Sequence, residues 1–448
     1  MNTRTAIRLP VHRGPAAWSA ILPDAAGPVV LDGDLNVDVA IVGGGFAGLS
    51  AARRLHQNDP TLRIAILEAG RLAEGASGRN SGFMIDLPHD LSSEDYAGKG
   101  LASDQEMIAL NRAAIAFARS NVEDYGINPA YFDPAGKING AASVAGHDRN
   151  RSYASHLSRL GEPGEMLDAK AMFEVTGSRH YVSGLYTPGT VMLQPAGYIR
   201  SLGQGLRRDG IHVFESSPVK RFERKGSAWE LTTPKGRIGA AKVVMANNGH
   251  LESFGFKRKR LMHIFLYASM TVELDNATIA KLGGHSRWGI TPSDPMGTTM
   301  RRIDSAQGGN RIVTRTCATY LPGMLPSEHG LARAARIHLR KFADRFPAIA
   351  DLPMEYSWAG HLCLSLNGVA VMRELENGLY SACCDNGLGT VRSTLTGIGA
   401  ADLLTGRASK ISEHFLAEAE PTRLAPSPFD SIGANLFLRW REWKARRE

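Results

Sequence analysis

Residues 1–36 are rich in Pro, Gly and Ala, hold no sustained apolar period, and read as an extended arm. The pattern changes at Val37-Asp38-Val39-Ala40-Ile41-Val42, an apolar run of strand length. A glycine turn follows, and Leu49 to Gln57 then place apolar residues at helical spacing until Asn58-Asp59-Pro60 stops them. Arg63-Ile64-Ala65-Ile66-Leu67-Glu68 is the next strand. Strand, turn, helix and strand in that order predict a βαβ unit, with right-handed crossover and parallel pairing. Farther along, Asp104–Tyr125 and Ala332–Phe346 predict helices, and His212–Val219 and Ala241–Ala246 predict strands. No internal repeat or low-complexity tract interrupts the chain.

A chain of 448 residues suits two domains with substantial cores. Its 43% apolar and 21% charged residues describe a globular protein. No run approaches the length of a transmembrane helix, and Met1–Pro10 lacks a secretory apolar segment, so no transmembrane segment and a cytoplasmic location are expected. The four cysteines, Cys317, Cys363, Cys383 and Cys384, form no CxxC pair and read as buried thiols in a reducing compartment. No His and carboxylate spacing predicts a metal. The net charge of +8 could suit nucleic acid, but the cations are scattered. Their one cluster, Arg439, Arg441, Lys444, Arg446 and Arg447, reads as a solvated helix face, so no nucleic-acid partner is expected.

The turn Gly43-Gly44-Gly45-Phe46-Ala47-Gly48 fits G-x-G-x-x-G between a strand and a helix, and acidic Glu68 ends the following strand. In that context the motif predicts a dinucleotide site. Gly43 permits the tight turn, Gly45 lets backbone approach a pyrophosphate, and Gly48 lets helix and sheet pack closely. The helix N-terminus would hold the phosphate, and Glu68 would accept from a ribose hydroxyl. A second glycine-rich loop, Gly75-Ala76-Ser77-Gly78-Arg79-Asn80-Ser81-Gly82, stands where an ordinary NAD enzyme would run into its next helix. A small polar loop with one Arg suits a backbone wrapped around a long cofactor; on residue type alone it could also be a surface loop.

These residues resemble the D-amino-acid-oxidase-like superfamily of FAD-dependent oxidoreductases, and within it the gamma-glutamylputrescine oxidoreductase branch. Trp18 and Leu31-Asp32-Gly33-Asp34 are similar to that branch's arm, and Gly75–Gly82 to its flavin-side loop. Pro195-Ala196-Gly197-Tyr198 with Val219, Met245 to Gly249, Trp358-Ala359-Gly360, and Gly378-Leu379-Tyr380 leading to Asn386–Thr390 extend the likeness over nearly the whole chain. The resemblance implies an α/β fold: a Rossmann-type FAD-binding domain with a discontinuous second α+β substrate domain on a mixed sheet. After the arm at 1–36, residues 37–90, 191–258 and 356–448 are expected to build the FAD side, and 91–190 and 259–355 the substrate side. The implied cofactor contacts are Gly43, Gly45, Phe46, Ala47, Gly48, Glu68, Ala69, Ser77, Arg79, Asn80, Ser81, Gly82, Val219, Asn248, Gly387, Leu388, Gly389 and Thr390. FAD is expected to be non-covalent, since Arg79-Asn80 brings no His to the loop; a thioether through Cys383 or Cys384 is the alternative.

The implied reaction passes a hydride from the carbon beside an amine nitrogen to flavin N5, and water hydrolyses the imine. O2 or an electron carrier would reoxidise the flavin. The protein must position the C–H, keep the amine neutral, and stabilise charge at the N1–C2=O edge, for which the Gly387–Thr390 turn and a helix over Arg392–Leu404 are suited. Candidates on the substrate side are His263, Tyr267, Arg302, Arg315, Tyr320 and His361; core packing or internal ion pairs are the competing roles. The sequence departs from the family pattern at Cys384 for Gly, Leu388 for His, His263 for Pro and Arg315 for Gly, where the substrate is expected. A non-catalytic flavoprotein and an RNA-modification-associated one are the rival functions.

Overall fold

The computed structural model describes residues 3–89, 93, 96–98 and 100–448. The expected βαβ unit is strand Gly33–Val42, helix Phe46–Asn58 and strand Ile64–Leu67, with the two strands parallel. Every side chain of Ile64–Leu67 is buried, as a strand covered on both faces requires. Parallel pairing continues through His212–Phe214 on one side and through Gly236–Met245 to Leu379–Cys383 on the other. The predicted strand over His212–Val219 is shorter, because the chain turns through Ser216 at φ 50°. Register places Val42 beside Leu67 and Met245, so the C-terminal ends of these strands open along one line. Antiparallel strands complete this 9-stranded sheet.

An 8-stranded mixed sheet forms the second layer system, in the order Met354–Leu364, Met262–Thr271, Arg311–Tyr320, Thr299–Ile303, Trp288–Pro292, Lys137–Ala141, Ser183–Thr187, Glu165–Asp168. The predicted helices appear as Leu101–Tyr125 and Glu328–Arg345. Two parts of the segment 356–448 depart from their expected place on the cofactor side. Strand Met354–Leu364 pairs along its length with Met262–Thr271 in the second sheet. The C-terminal helix Phe429–Lys444 is tied to the same sheet, where Asn435 Oδ1 accepts from Tyr320 N and Glu442 Oε1 from Ala318 N. The basic cluster reads as a helix face but carries no information about which sheet receives the helix. The arm is also less simple than expected: Arg4–Thr5 pairs with Arg221–Lys225, and Ala17–Ala20 forms one helical turn that buries Trp18.

Candidate active site

Between the strand ends of the first sheet and the face of the second lies a cavity of about 310 Å³. All the expected cofactor residues line it except Gly48, which lies behind the turn. Gly43 has φ +112°, and a Cβ there would come 2.5 Å from the Ala246 carbonyl, so only glycine fits. A Cβ on Gly48 would stand 1.9 Å from the Gly43 carbonyl, which explains the close packing of helix on turn. Gly45 does something the motif alone does not suggest. Its missing Cβ makes room for Ser77, whose Oγ would lie 2.5 Å away and accepts from Phe46 N at 3.2 Å. The bare position therefore seats the second glycine loop against the first helix terminus. Glu68 accepts from Gly44 N at 2.7 Å and Gly70 N at 3.0 Å, and burial pushes its carboxyl above the usual range.

The loop Gly75–Gly82 is fastened rather than free. Trp18 Nε1 donates to Asn80 O at 2.8 Å and Trp358 Nε1 to Arg79 O at 3.0 Å. The Arg79 guanidinium turns back to the carbonyls of Glu74, Arg13 and Gly14, and burial lowers it to about 10. Arg79 thus shapes the loop with its side chain and meets the cavity beside it. Arg301, packed over the Trp18 ring, donates to the carbonyls of Leu193 and Ser81 behind the loop. Arg302, expected as a catalytic residue, does not line the cavity: its Nη1 donates to the Gly283 carbonyl. Adjacent residues of one strand point to opposite faces, so Arg301 reaches the carbonyls behind the loop while Arg302 turns to Gly283, and neither lines the cavity. Tyr320 is also turned away, bonding Asp430 at 3.0 Å, whereas Tyr267 lines the cavity.

The third wall is the turn before helix Gly389–Leu404. Asn248 Oδ1 accepts from Cys384 N at 3.0 Å, and Asn248 Nδ2 donates to Asp385 Oδ2 at 3.2 Å. Cys384 holds φ +65°, which accounts for the glycine expected there and leaves the cysteine in a strained backbone well. Burial raises Asp385 to about 6. The Leu388 side chain makes no capping bond, so among the described residues the first N–H groups of the helix stand open at the cavity that Gly389 and Thr390 line. This helix crosses Phe46–Asn58 so closely that a Cβ on Gly397 would meet the Ala47 carbonyl at 2.2 Å. Two helix N-termini consequently face one cavity, a suitable field for a diphosphate at one and a developing anion at the other. The Val219 backbone, buried beside them, makes no hydrogen bond among the described residues. These unfilled donors and bare positions fit FAD. Cys383 and Cys384 do not line the cavity, and burial pushes the Cys383 thiol up to about 12, so neither is placed for a thioether.

The substrate-side wall joins residues far apart in sequence. His361 lines the cavity, stacked on Phe265 with ring centroids 5.0 Å apart. His361 Nε2 lies 3.2 Å from His263 Nδ1, and His263 Nε2 lies 2.8 Å from Glu252 Oε2. His263 does not itself line the cavity. A carboxylate can only accept, so His263 Nε2–H donates to Glu252, and in the neutral His263 tautomer Nδ1 is then the acceptor for His361 Nε2–H. That order leaves Nδ1 of His361 as the basic nitrogen. Burial, then its histidine neighbours, holds His361 well below the ordinary histidine range. His250 and His12, on the same wall, are each lowered to about 4 by burial. Arg315 also lines the cavity, contacting Thr299 Oγ1 at 3.4 Å, and forms no ion pair among the described residues. Lys137 lies buried nearby, lowered to about 8, and His89 is kept neutral by burial and by these two cations. Sequence reasoning missed Glu252, His250, His12 and Lys137, because no spacing links a helical turn, an arm and three strands.

The DAO family, described as FAD dependent oxidoreductase, matches residues 38–403. The gamma-glutamylputrescine oxidoreductase of Escherichia coli is 23% identical over 418 residues, covering 91% of this chain and 93% of that protein. A probable oxidoreductase OrdL of Rhizobium meliloti is 22% identical over 409 residues, covering 90% and 91%. The fold of glycine oxidase from Geobacillus kaustophilus superposes with a TM-score of 0.69 at 22% identity, covering 88% of this chain and 100% of that one.

Proposed function

The chain belongs to the DAO family of FAD-dependent oxidoreductases, and from that premise we propose that it oxidises the C–N bond of a small, anion-bearing amine or amino acid to an imine. Water then adds to the imine carbon and releases a carbonyl compound and the shortened amine or ammonia. The observation that carries this reading is the pairing, on one cavity wall, of a guanidinium at Arg315 that forms no ion pair among the described residues with a neutral imidazole at His361. The first recognises a carboxylate through a charge-assisted bond. The second takes the proton that an ammonium must lose before its C–H becomes hydridic, and the chain through His263 to Glu252 spreads the charge it gains.

The turn at Gly43–Gly48, the loop at Gly75–Gly82 and the Gly387–Thr390 turn would hold FAD without a covalent bond, and bound there it would supply the hydride acceptor. The open N-terminus of helix Gly389–Leu404 favours negative charge beside it. Met324, Phe265 and Leu362 on the cavity wall keep water from the reacting carbon. Gamma-glutamylputrescine and glycine, named for the relatives, both present a carboxylate and an amine nitrogen, the two groups Arg315 and His361 address. The test is an anaerobic screen of the yellow protein against polyamines, opines, N-methyl amino acids, and D- and L-amino acids. Bleaching by carboxylate-bearing amines, and not by neutral analogues, supports the reading. Bleaching by none of them supports the non-catalytic alternative.

A further inference from the structure

The C-terminal helix Phe429–Lys444 is amphipathic in the reverse of the usual sense. Its inward face is largely polar and bonded: Asp430, Asn435, Arg439 and Glu442 hold it to Thr319, Tyr320, Ala318 and Arg333 of the second sheet and its covering helix. Its outward stripe is apolar. Phe429, Ile432, Leu436, Trp440 and Trp443 recur at intervals of three and four, with Phe437 beside Leu436, and each of the six is between 51% and 73% exposed. The solvated face expected from the basic cluster is therefore not charged along the helix. The cations gather at its end instead: the Lys444 ammonium lies 5.8 Å from the Trp440 ring, the Arg446 guanidinium 4.3 Å from the Trp443 ring, and Arg447 is exposed beside them. Among the described residues no carboxylate of the helix stands on the outward stripe, since Asp430 and Glu442 both turn to the sheet.

We propose that this stripe docks the protein on the surface of an anionic lipid bilayer. Six adjoining exposed apolar side chains are a patch that water disfavours, and its fixing by polar bonds underneath shows a helix held with that face outward. Two tryptophans with basic residues immediately past them match the headgroup boundary, where an indole sits half in hydrocarbon and a cation meets phosphate. A second copy fits less well, because among the described residues the stripe offers no acid to receive the Arg446 and Arg447 of another copy. Among the described residues no helix is long and apolar enough to cross a membrane, so the contact is interfacial. Docking places the cavity close to the bilayer, for Leu266 and Leu362 line it and also belong to the cluster on which Ala434 and Leu438 pack.

The test is flotation of the full FAD-loaded chain with vesicles of phosphatidylcholine alone or with phosphatidylglycerol added, while tryptophan emission is followed. Arg446 and Arg447 near the surface should give about thirty-fold stronger partitioning to the anionic vesicles, with a blue shift, and salt should weaken it. The triple variant Ile432→Ser, Leu436→Ser, Trp440→Ser, whose sites are exposed, should stay with the soluble fraction while keeping its flavin spectrum. Arg446→Glu with Arg447→Glu should lose only the preference for anionic vesicles. Wild-type protein that remains soluble with every vesicle, or a triple variant that floats as wild type does, overturns the proposal. So does a dimer that ignores vesicles and is dissolved by the triple variant, which assigns the stripe to a second copy.

Discussion

Replacing Arg315 with alanine separates recognition of an anion from every structural role. Among the described residues the guanidinium has one long contact to Thr299 and no ion pair, so its charge is open to a ligand in the cavity. A substrate carboxylate about 4 Å away would gain roughly 4 kcal/mol at an effective dielectric near 20. Desolvating that carboxylate returns part of this, leaving about 2–4 kcal/mol, or roughly 30- to 1000-fold in kcat/KM. Stability should move the other way. Burial lowers the Arg315 pKa, which means the folded state disfavours its charged form at every working pH. Arg315→Ala should therefore melt at the same temperature or higher before substrate is added. Arg315→Lys should restore part of the activity, since an ammonium lacks the planar fork. The assay is the anaerobic rate of flavin reduction with matched substrates, one carrying a carboxylate and one its neutral amide. Equal losses for the two, or a drop in melting temperature with no change in selectivity, would refute the argument.

Gly45→Ala should lower FAD content, because its Cβ meets Ser77 Oγ; adding Ser77→Ala should restore much of it. Absorbance of flavin relative to protein after gel filtration checks this, and full flavin in Gly45→Ala would remove Ser77 as the reason for the glycine. Glu252→Gln should cut the rate about 10- to 100-fold and move the acid limb of its pH profile lower, because a neutral amide no longer steadies a proton on the histidines. Loss of stability with an unmoved profile would reduce Glu252 to a packing role. Finally, burial lowers His338 to about 4 from an ordinary value of 6.5, so the unfolded chain binds more protons between those values. Its contribution is complete above about pH 6.5 and is lost as pH falls toward 4, up to about 3 kcal/mol. Urea midpoints of His338→Gln should fall less steeply than wild type across that window; parallel curves would assign the acid loss to other groups.

The sequence by itself determined the local parts whose chemistry is written in neighbouring residues. The turn at Gly43–Gly48 requires a positive φ at Gly43 and no Cβ at Gly48, and both needs arise within six positions. The βαβ unit follows from two periods that switch within thirty residues, and the flavin-side loop from its small polar composition. Tertiary structure alone decided where side chains meet. Which of Arg301 and Arg302 faces the loop depends on strand register, which one residue reverses. Gly45 is bare for Ser77, a residue that only the fold brings to it. The path from Glu252 through His263 to His361 joins a helical turn to two paired strands, with His263 opposite Cys363 and Phe265 opposite His361. The outward face of Phe429–Lys444 was equally hidden, because an apolar period fixes a stripe on a helix, while the side turned to the protein is fixed by the sheet it packs on. Periodicity is a property of the chain, but proximity is a property of the packed molecule.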